Sequence, residues 1–178
     1  MKNIVENMIA YAEGLLGSEK YCGWCLSFIE DCLEKGNGIE IHGGDCARES
    51  CEMYGSFLKK GEPERGSFVF YDCLCSCEGA VHNYGHCGIS LGEGRVIHAL
   101  GEVRIDGYLD IEDISVGDDL PKPKYIGWVS AEDVVKYLPL SLENKMWQAA
   151  VDCDREAFMS VVAEDAVMVC GGHRCSGA

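Results

Sequence analysis

Only four prolines and 15 basic side chains, against 30 acidic ones, occur among the 178 residues of this chain. The formal charge of −15, with no cluster of Lys or Arg, excludes nucleic acid and anionic membrane surfaces as partners. No apolar run approaches the ~20 residues that span a bilayer, so no membrane partnership is expected. The opening Met1-Lys2-Asn3-Ile4-Val5-Glu6-Asn7 has one Lys, an early Glu and no apolar core, unlike a secretory signal. The expected location is therefore cytoplasmic, where thiols stay mostly reduced. Low-complexity segments and internal repeats are also missing. The hydrophobic fraction of 47% and charged fraction of 25% are ordinary globular values and exclude a disordered chain.

What the chain has in abundance is cysteine, twelve in all. A chain of this length buries roughly 70% of its unfolded surface and needs no disulfide or metal staple to fold. The cysteines are thus expected as free thiols rather than as a secreted framework.

Helical spacing of Ile4, Met8, Ile9, Ala12, Leu15 and Leu16 predicts a first helix over 3–16, closed by Gly17. Cys25, Phe28, Ile29 and Cys32 share one face of a second helix, stopped by Gly36 and Gly38. A third is expected from Gly43-Gly44-Asp45 to about Lys59. After Pro63 come short β-rich runs: 68–71, 87–91, 95–99, 103–105 and 125–129. Helices first and strands afterwards predict an α+β fold, an antiparallel sheet packed on N-terminal helices. A boundary is expected near Leu138-Pro139-Leu140, dividing the chain into residues 1–138 and a helical appendage, 139–178. In the appendage, Leu142 to Val151 reads as a helix, Asp154 as the cap of another, and 166–170 as a strand.

Cys25 stands at the start of an amphipathic helix, whose unsatisfied N–H groups and partial positive charge stabilise a thiolate. The same groups can receive an oxyanion. Position alone fits a small buried core residue better. The segment from Gly85 to Ala99 reads as a hairpin turning at Gly92-Glu93-Gly94. If Leu91 pairs with Arg95, Gly88 faces His98, and His86 becomes the diagonal neighbour of His98 on one sheet face. A one-residue slip would separate the two rings. Two such histidines could be half of a zinc site or solvated polar residues. With a helix-start Cys they favour a relay in which one imidazole takes the thiol proton and the other orients it.

Cys25 opening a helix, followed about sixty residues later by His86-x-Gly-Ile-x-Leu-Gly-x-Gly-x-Val-Ile-His98-Ala, resembles the NlpC-type cysteine peptidases. The resemblance covers roughly residues 3–130. It implies a papain-like fold with Cys25 as nucleophile, His86 as general base and His98 as the orienting residue. The implied reaction is cleavage of an amide bond in a small peptide or peptidoglycan fragment, requiring neither cofactor nor metal. Those enzymes usually carry Asp-Cys-Ser-Gly at the nucleophile. Here Trp24-Cys25-Leu26-Ser27 is nearer the Trp-Cys-x-x-Phe form of amidase-like relatives. Tyr21 and Trp24 are expected as substrate-pocket walls.

Cys22-Gly23-Trp24-Cys25 is formally a C-x-x-C, but lacks the preceding strand of a thioredoxin motif. A Cys22–Cys25 disulfide would silence the nucleophile. Cys73, Cys75 and Cys77 could gather with Cys46, Cys51, His42 and His82 around zinc, although C-x-C-x-C is not a usual zinc spacing. The rival to a hydrolase is a thiol-rich binding or redox- and metal-sensing module on the same fold. Asp118-Asp119 reads as solvated loop charge, and Gly92-x-Gly94 as a turn rather than a phosphate cradle, since no helix follows it. Trp147 to Phe158, including Asp152, and then 163–167 resemble the opening of SnoaL-like domains. Those are commonly dimeric, which implies a homodimer through the C-terminal segment; two ordinary amphipathic helices are the alternative.

Overall fold

A computed structural model describes residues 2–41, 43–77, 80–117, 119–151, 153–162, 167–170 and 173–176. His42, Asp118, Asp152 and residues 163–166, singled out above, lie outside these. The chain forms two compact units, Met1–Val135 and Lys136–Ala178.

The first unit begins with α1 (Lys2–Glu13), α2 (Cys25–Asn37) and α3 (Ala47–Met53). Strands β1 (Ser67–Asp72), β4 (His86–Gly92), β5 (Arg95–Leu100), β6 (Glu102–Gly107) and β7 (Lys124–Ser130) form one antiparallel sheet in the order β6-β5-β4-β1-β7. Strands β2 (Leu74–Cys77) and β3 (Ala80–Asn83) make a separate hairpin between β1 and β4. The architecture is mixed α+β, with α1 on α2, α2 on β4 and β5, and α3 on β1 and β4.

Strand periodicity sorts the sheet into two faces. Phe68 pairs with Ile89, Phe70 with Cys87 and Ile89 with Ile97, all fully buried. Tyr54, at the end of α3, lays its ring against Phe70, which marks this as the helix-covered face. The opposite face gathers Val69, Tyr71, Val96 and Trp128 with Ile111 from the 3₁₀ turn Asp110–Asp113.

Helix α1 ends at Glu13 rather than Leu16, and Gly36 lies inside α2, which Gly38 alone stops; three larger departures from the sequence reading follow. Helix α3 ends at Met53 rather than near Lys59. Lys59 instead runs extended beside β7, giving its N–H to Trp128 O (2.8 Å) and accepting from Trp128 N (3.0 Å). At the β4–β5 tip, Gly92 rather than Leu91 pairs with Arg95, with a bulge between Ser90 and Gly92. The turn is therefore Glu93-Gly94, both with positive φ (54° and 70°), as a tight two-residue hairpin requires. The bulge absorbs the extra residue, so Gly88 still faces His98.

The third departure is α4, which runs from Ala131 to Val151 through Pro139 rather than starting beyond it. Ser130 Oγ accepts from Asp133 N (3.1 Å) and donates to the Asp133 carboxylate (2.6 Å), so a Ser-x-x-Asp cap starts the helix early. The second unit takes the remainder of α4, then α5 (Arg155–Val161) and the hairpin β8 (Val167–Cys170)–β9 (His173–Ser176). Asp154 caps α5 as expected, accepting from Ala157 N at 3.0 Å. Among the described residues, no helix is long and apolar enough to cross a membrane.

Candidate active site

Cys25 is the first residue of α2, and the way that helix starts governs its chemistry. The preceding residue, Trp24, gives no side-chain cap, whereas a Ser or Asp there would be worth about 0.5–2 kcal/mol. The first helical bond runs from Phe28 N to Trp24 O (3.0 Å). The amides of Cys25, Leu26 and Ser27 therefore precede the helix's own bonding and are oriented for an anion. No acidic residue sits in this first turn to oppose one. Leu26, Phe28, Ile29, Cys32 and Leu33 bury the helix against the sheet and fix its tip at the start of β4.

His86 and Cys87 open β4, and Cys25 interacts with both. Hydrogen bonding from the Cys87 thiol is the largest influence holding Cys25 well below the ordinary thiol range. Burial opposes it; the charge and hydrogen bond of His86 add to it. Cys25 nonetheless retains partial exposure as a residue, although its sulfur is closely surrounded. Cys87 is fully enclosed, and that burial pushes its own thiol well above the usual range.

His86 Nε2 lies 2.8 Å from His98 Nδ1, the rings edge-on at 79°. Both residues are buried. The pairing of Gly88 with His98 makes this possible. A Cβ on Gly88 would lie 2.5 Å from Val96 Cγ1 and 2.8 Å from His98 Cβ, so only glycine leaves the His98 ring its place. Tyr71, opposite His86 on β1, stands 6.0 Å from its ring and donates its hydroxyl to Tyr108 O (2.9 Å).

The series of contacts continues into a residue that sequence reasoning missed. His98 Nε2 lies 3.0 Å from Asp106 Oδ2. Arg104 holds the same carboxylate in a fork, Nε to Oδ2 at 2.6 Å and a terminal nitrogen to Oδ1 at 2.9 Å. Burial works to raise the Asp106 carboxyl, but the bonds from Arg104 and His98 hold it below its usual value. Burial, and next the charge of His86, push His98 down to about 4, against the pull of Asp106.

The proton positions follow from these contacts. An ionised carboxylate only accepts, so His98 carries its proton on Nε2. A neutral His98 then offers Nδ1 as an acceptor, and His86 must donate from Nε2. His86 Nδ1 is left to exchange a proton with Cys25. The polarity of the whole series, from Cys25 to Asp106, is set from the acidic end.

The structure thus brings Cys25, His86 and His98 together. Trp24 is 66% exposed beside Cys25, open to a ligand. Tyr21 is placed differently: it is buried, its hydroxyl donates to Asp31 Oδ2 (2.5 Å), and its ring packs edge-on against Phe28. Cys22 stands exposed in the turn before α2. Cys73 is buried and Cys75 exposed, the two thiols still hydrogen-bonded to each other. Among the described residues, no three His, Cys, Asp or Glu side chains gather to hold a metal ion. No family model matches this chain, and no curated protein matches it.

Proposed function

We propose that this protein is a cysteine hydrolase of the papain-like NlpC type, cleaving an amide bond in a small peptide or peptidoglycan fragment through a thioester. The observation that carries this reading is the 2.8 Å bond between His86 Nε2 and His98 Nδ1, with Cys25 at the other side of His86. A thiolate paired with an imidazolium is the reactive form of a nucleophilic cysteine.

In this reading the Cys25 sulfur attacks the substrate carbonyl carbon. The developing oxyanion is received by the amides at the start of α2. His86 gives its Nδ1 proton to the leaving nitrogen as the C–N bond breaks, leaving a thioester on Cys25. His86 then takes a proton from water, which attacks the thioester and releases the acid. His98 keeps His86 Nε2 as a donor throughout. Trp24 forms part of the substrate rim. The second unit is read as the opening of a SnoaL-like domain and as the means of pairing two chains. The expected setting is cytoplasmic, trimming peptides released from the wall.

Incubation with γ-glutamyl and diaminopimelate-containing peptides tests the reading. Release of a free amine, lost in Cys25→Ala and in His86→Ala with unchanged circular dichroism, is the expected result. No release from any member of such a panel, together with uniform slow alkylation of all exposed thiols at neutral pH, would overturn it in favour of a non-catalytic thiol module.

A further inference from the structure

The residue next to the general base candidate is itself a thiol, and no step of the proposed hydrolysis consumes it. Cys87 follows His86 on β4, turns to the helix-covered face, and is fully buried where the tip of α2 meets the strand. Its partner there is Cys25. Two thiols in contact, one reactive and partly exposed, the other buried and inert alone, form the arrangement of an attacking and a resolving cysteine.

We propose that Cys25 and Cys87 form an oxidation site for hydroperoxides, which link the two into a disulfide. The Cys25 thiolate attacks the terminal peroxide oxygen. An S–O bond forms, the O–O bond breaks, sulfur loses two electrons, and the leaving alkoxide or hydroxide takes a proton from solvent. Cys87 sulfur then attacks the Cys25 sulfenic acid. The S–S bond forms, the S–O bond breaks, and the Cys87 proton leaves with the oxygen as water. The closed form has no nucleophile, and a dithiol reductant returns both thiols. Burial disfavours thiolate formation at Cys32, Cys51 and Cys73, which therefore do not compete for the oxidant.

This inference shares with the hydrolase reading only the reactivity of Cys25; it does not need an amide substrate. The test therefore uses a chemical readout on the full reduced chain. Peroxide is added in small excess, remaining thiols are blocked, and an unreduced digest is mapped by mass spectrometry. The expected product joins the Cys25 and Cys87 peptides and disappears with dithiothreitol. Cys22→Ser retains it, whereas Cys87→Ala, which also removes the hydrogen bond that most lowers the Cys25 thiol, abolishes it and leaves whatever Cys25 is oxidised as sulfinic acid that dithiothreitol does not reverse. Sulfinic acid at Cys25 in the unsubstituted chain at the same dose, or a Cys22–Cys25 link, would overturn the proposal. The map of the unsubstituted chain decides the matter even if Cys87→Ala does not fold. Failure of every peptide substrate would leave this result untouched, and failure of the crosslink would leave hydrolysis untouched.

Discussion

Replacing Asp106 with Asn probes the proton polarity on which the reactive thiolate depends. Asp106 Oδ2 accepts from both His98 and Arg104, and Oδ1 accepts from Arg104. An amide cannot satisfy all three donors, because one of its two ends is itself a donor. If the NH₂ end meets His98, that ring must shift its proton from Nε2 to Nδ1, and an N–H then confronts the N–H of a protonated His86. The imidazolium loses its acceptor and the thiolate loses its counter-charge. A hydrogen bond to a charged group contributes about 1.5–3 kcal/mol. At about 1.4 kcal/mol per tenfold, its loss moves the Cys25 titration up by about one to two pH units and slows turnover about 10- to 100-fold. Iodoacetamide alkylation of Cys25 followed across pH 4–9 by peptide mass spectrometry measures the first; amine release measures the second. Asp106→Glu is expected to recover part of both. Arg104→Gln leaves the His98 contact in place. Its half-exposed ion pair contributes about 0.2–1 kcal/mol, so the expected change is fivefold or less. An Asn variant with the wild-type alkylation profile and turnover within twofold would refute the chain of reasoning from carboxylate to thiol.

Further outcomes are expected elsewhere. Gly88→Ala forces a methyl into contact with Val96 and His98, and overpacking of about 1–3 kcal/mol lowers the melting temperature by roughly 3–10 °C, measured by circular dichroism. His98, held at about 4 when folded against 6.5 when unfolded, contributes up to about 3 kcal/mol above pH 6.5 that is lost as pH falls toward 4, because the unfolded chain takes the proton first. Glu30, raised by burial to about 7 from 4.5, works in the opposite sense over much of the same range, losing stability as pH rises. Urea unfolding should thus show a shallow pH dependence in the wild type and a steep acid loss in Glu30→Gln, which removes the compensating carboxyl. Trp24→Ala, at an exposed rim, should raise KM with a melting temperature unchanged. Tyr21→Phe should do the reverse, costing about 1 kcal/mol through the lost bond to Asp31 and leaving KM unaltered.

Local signals were legible wherever they decided structure by themselves. The apolar stripe of α2, its left-handed stop at Gly38 and the capping aspartate of α5 are features of a few consecutive residues. The hairpin histidines could be placed because a tight turn fixes pairing by counting, and the Gly92 bulge left that count intact. The Ser130-to-Asp133 cap was equally readable, but Pro139 drew the expected helix start downstream of it. Elsewhere tertiary pairing intervened: Lys59 left its helical pattern because β7 offered it a strand partner.

Asp106 was hidden for a different physical reason. Its neighbours in sequence, Arg104 and Ile105, identify an ordinary strand of alternating character. Nothing in that pattern states which earlier strand it pairs with. Only the β5–β6 register, setting His98 opposite Arg104, places Asp106 diagonally beside the imidazole. A one-residue slip would send its carboxylate to the other face and bring Ile105 to the ring. The residue that fixes the proton order of the site is therefore specified by sheet pairing rather than by any motif. Shifting that register by one residue, for instance by an insertion at Gly101 between β5 and β6, should raise the Cys25 titration as much as Asp106→Asn does, with every candidate catalytic side chain still present.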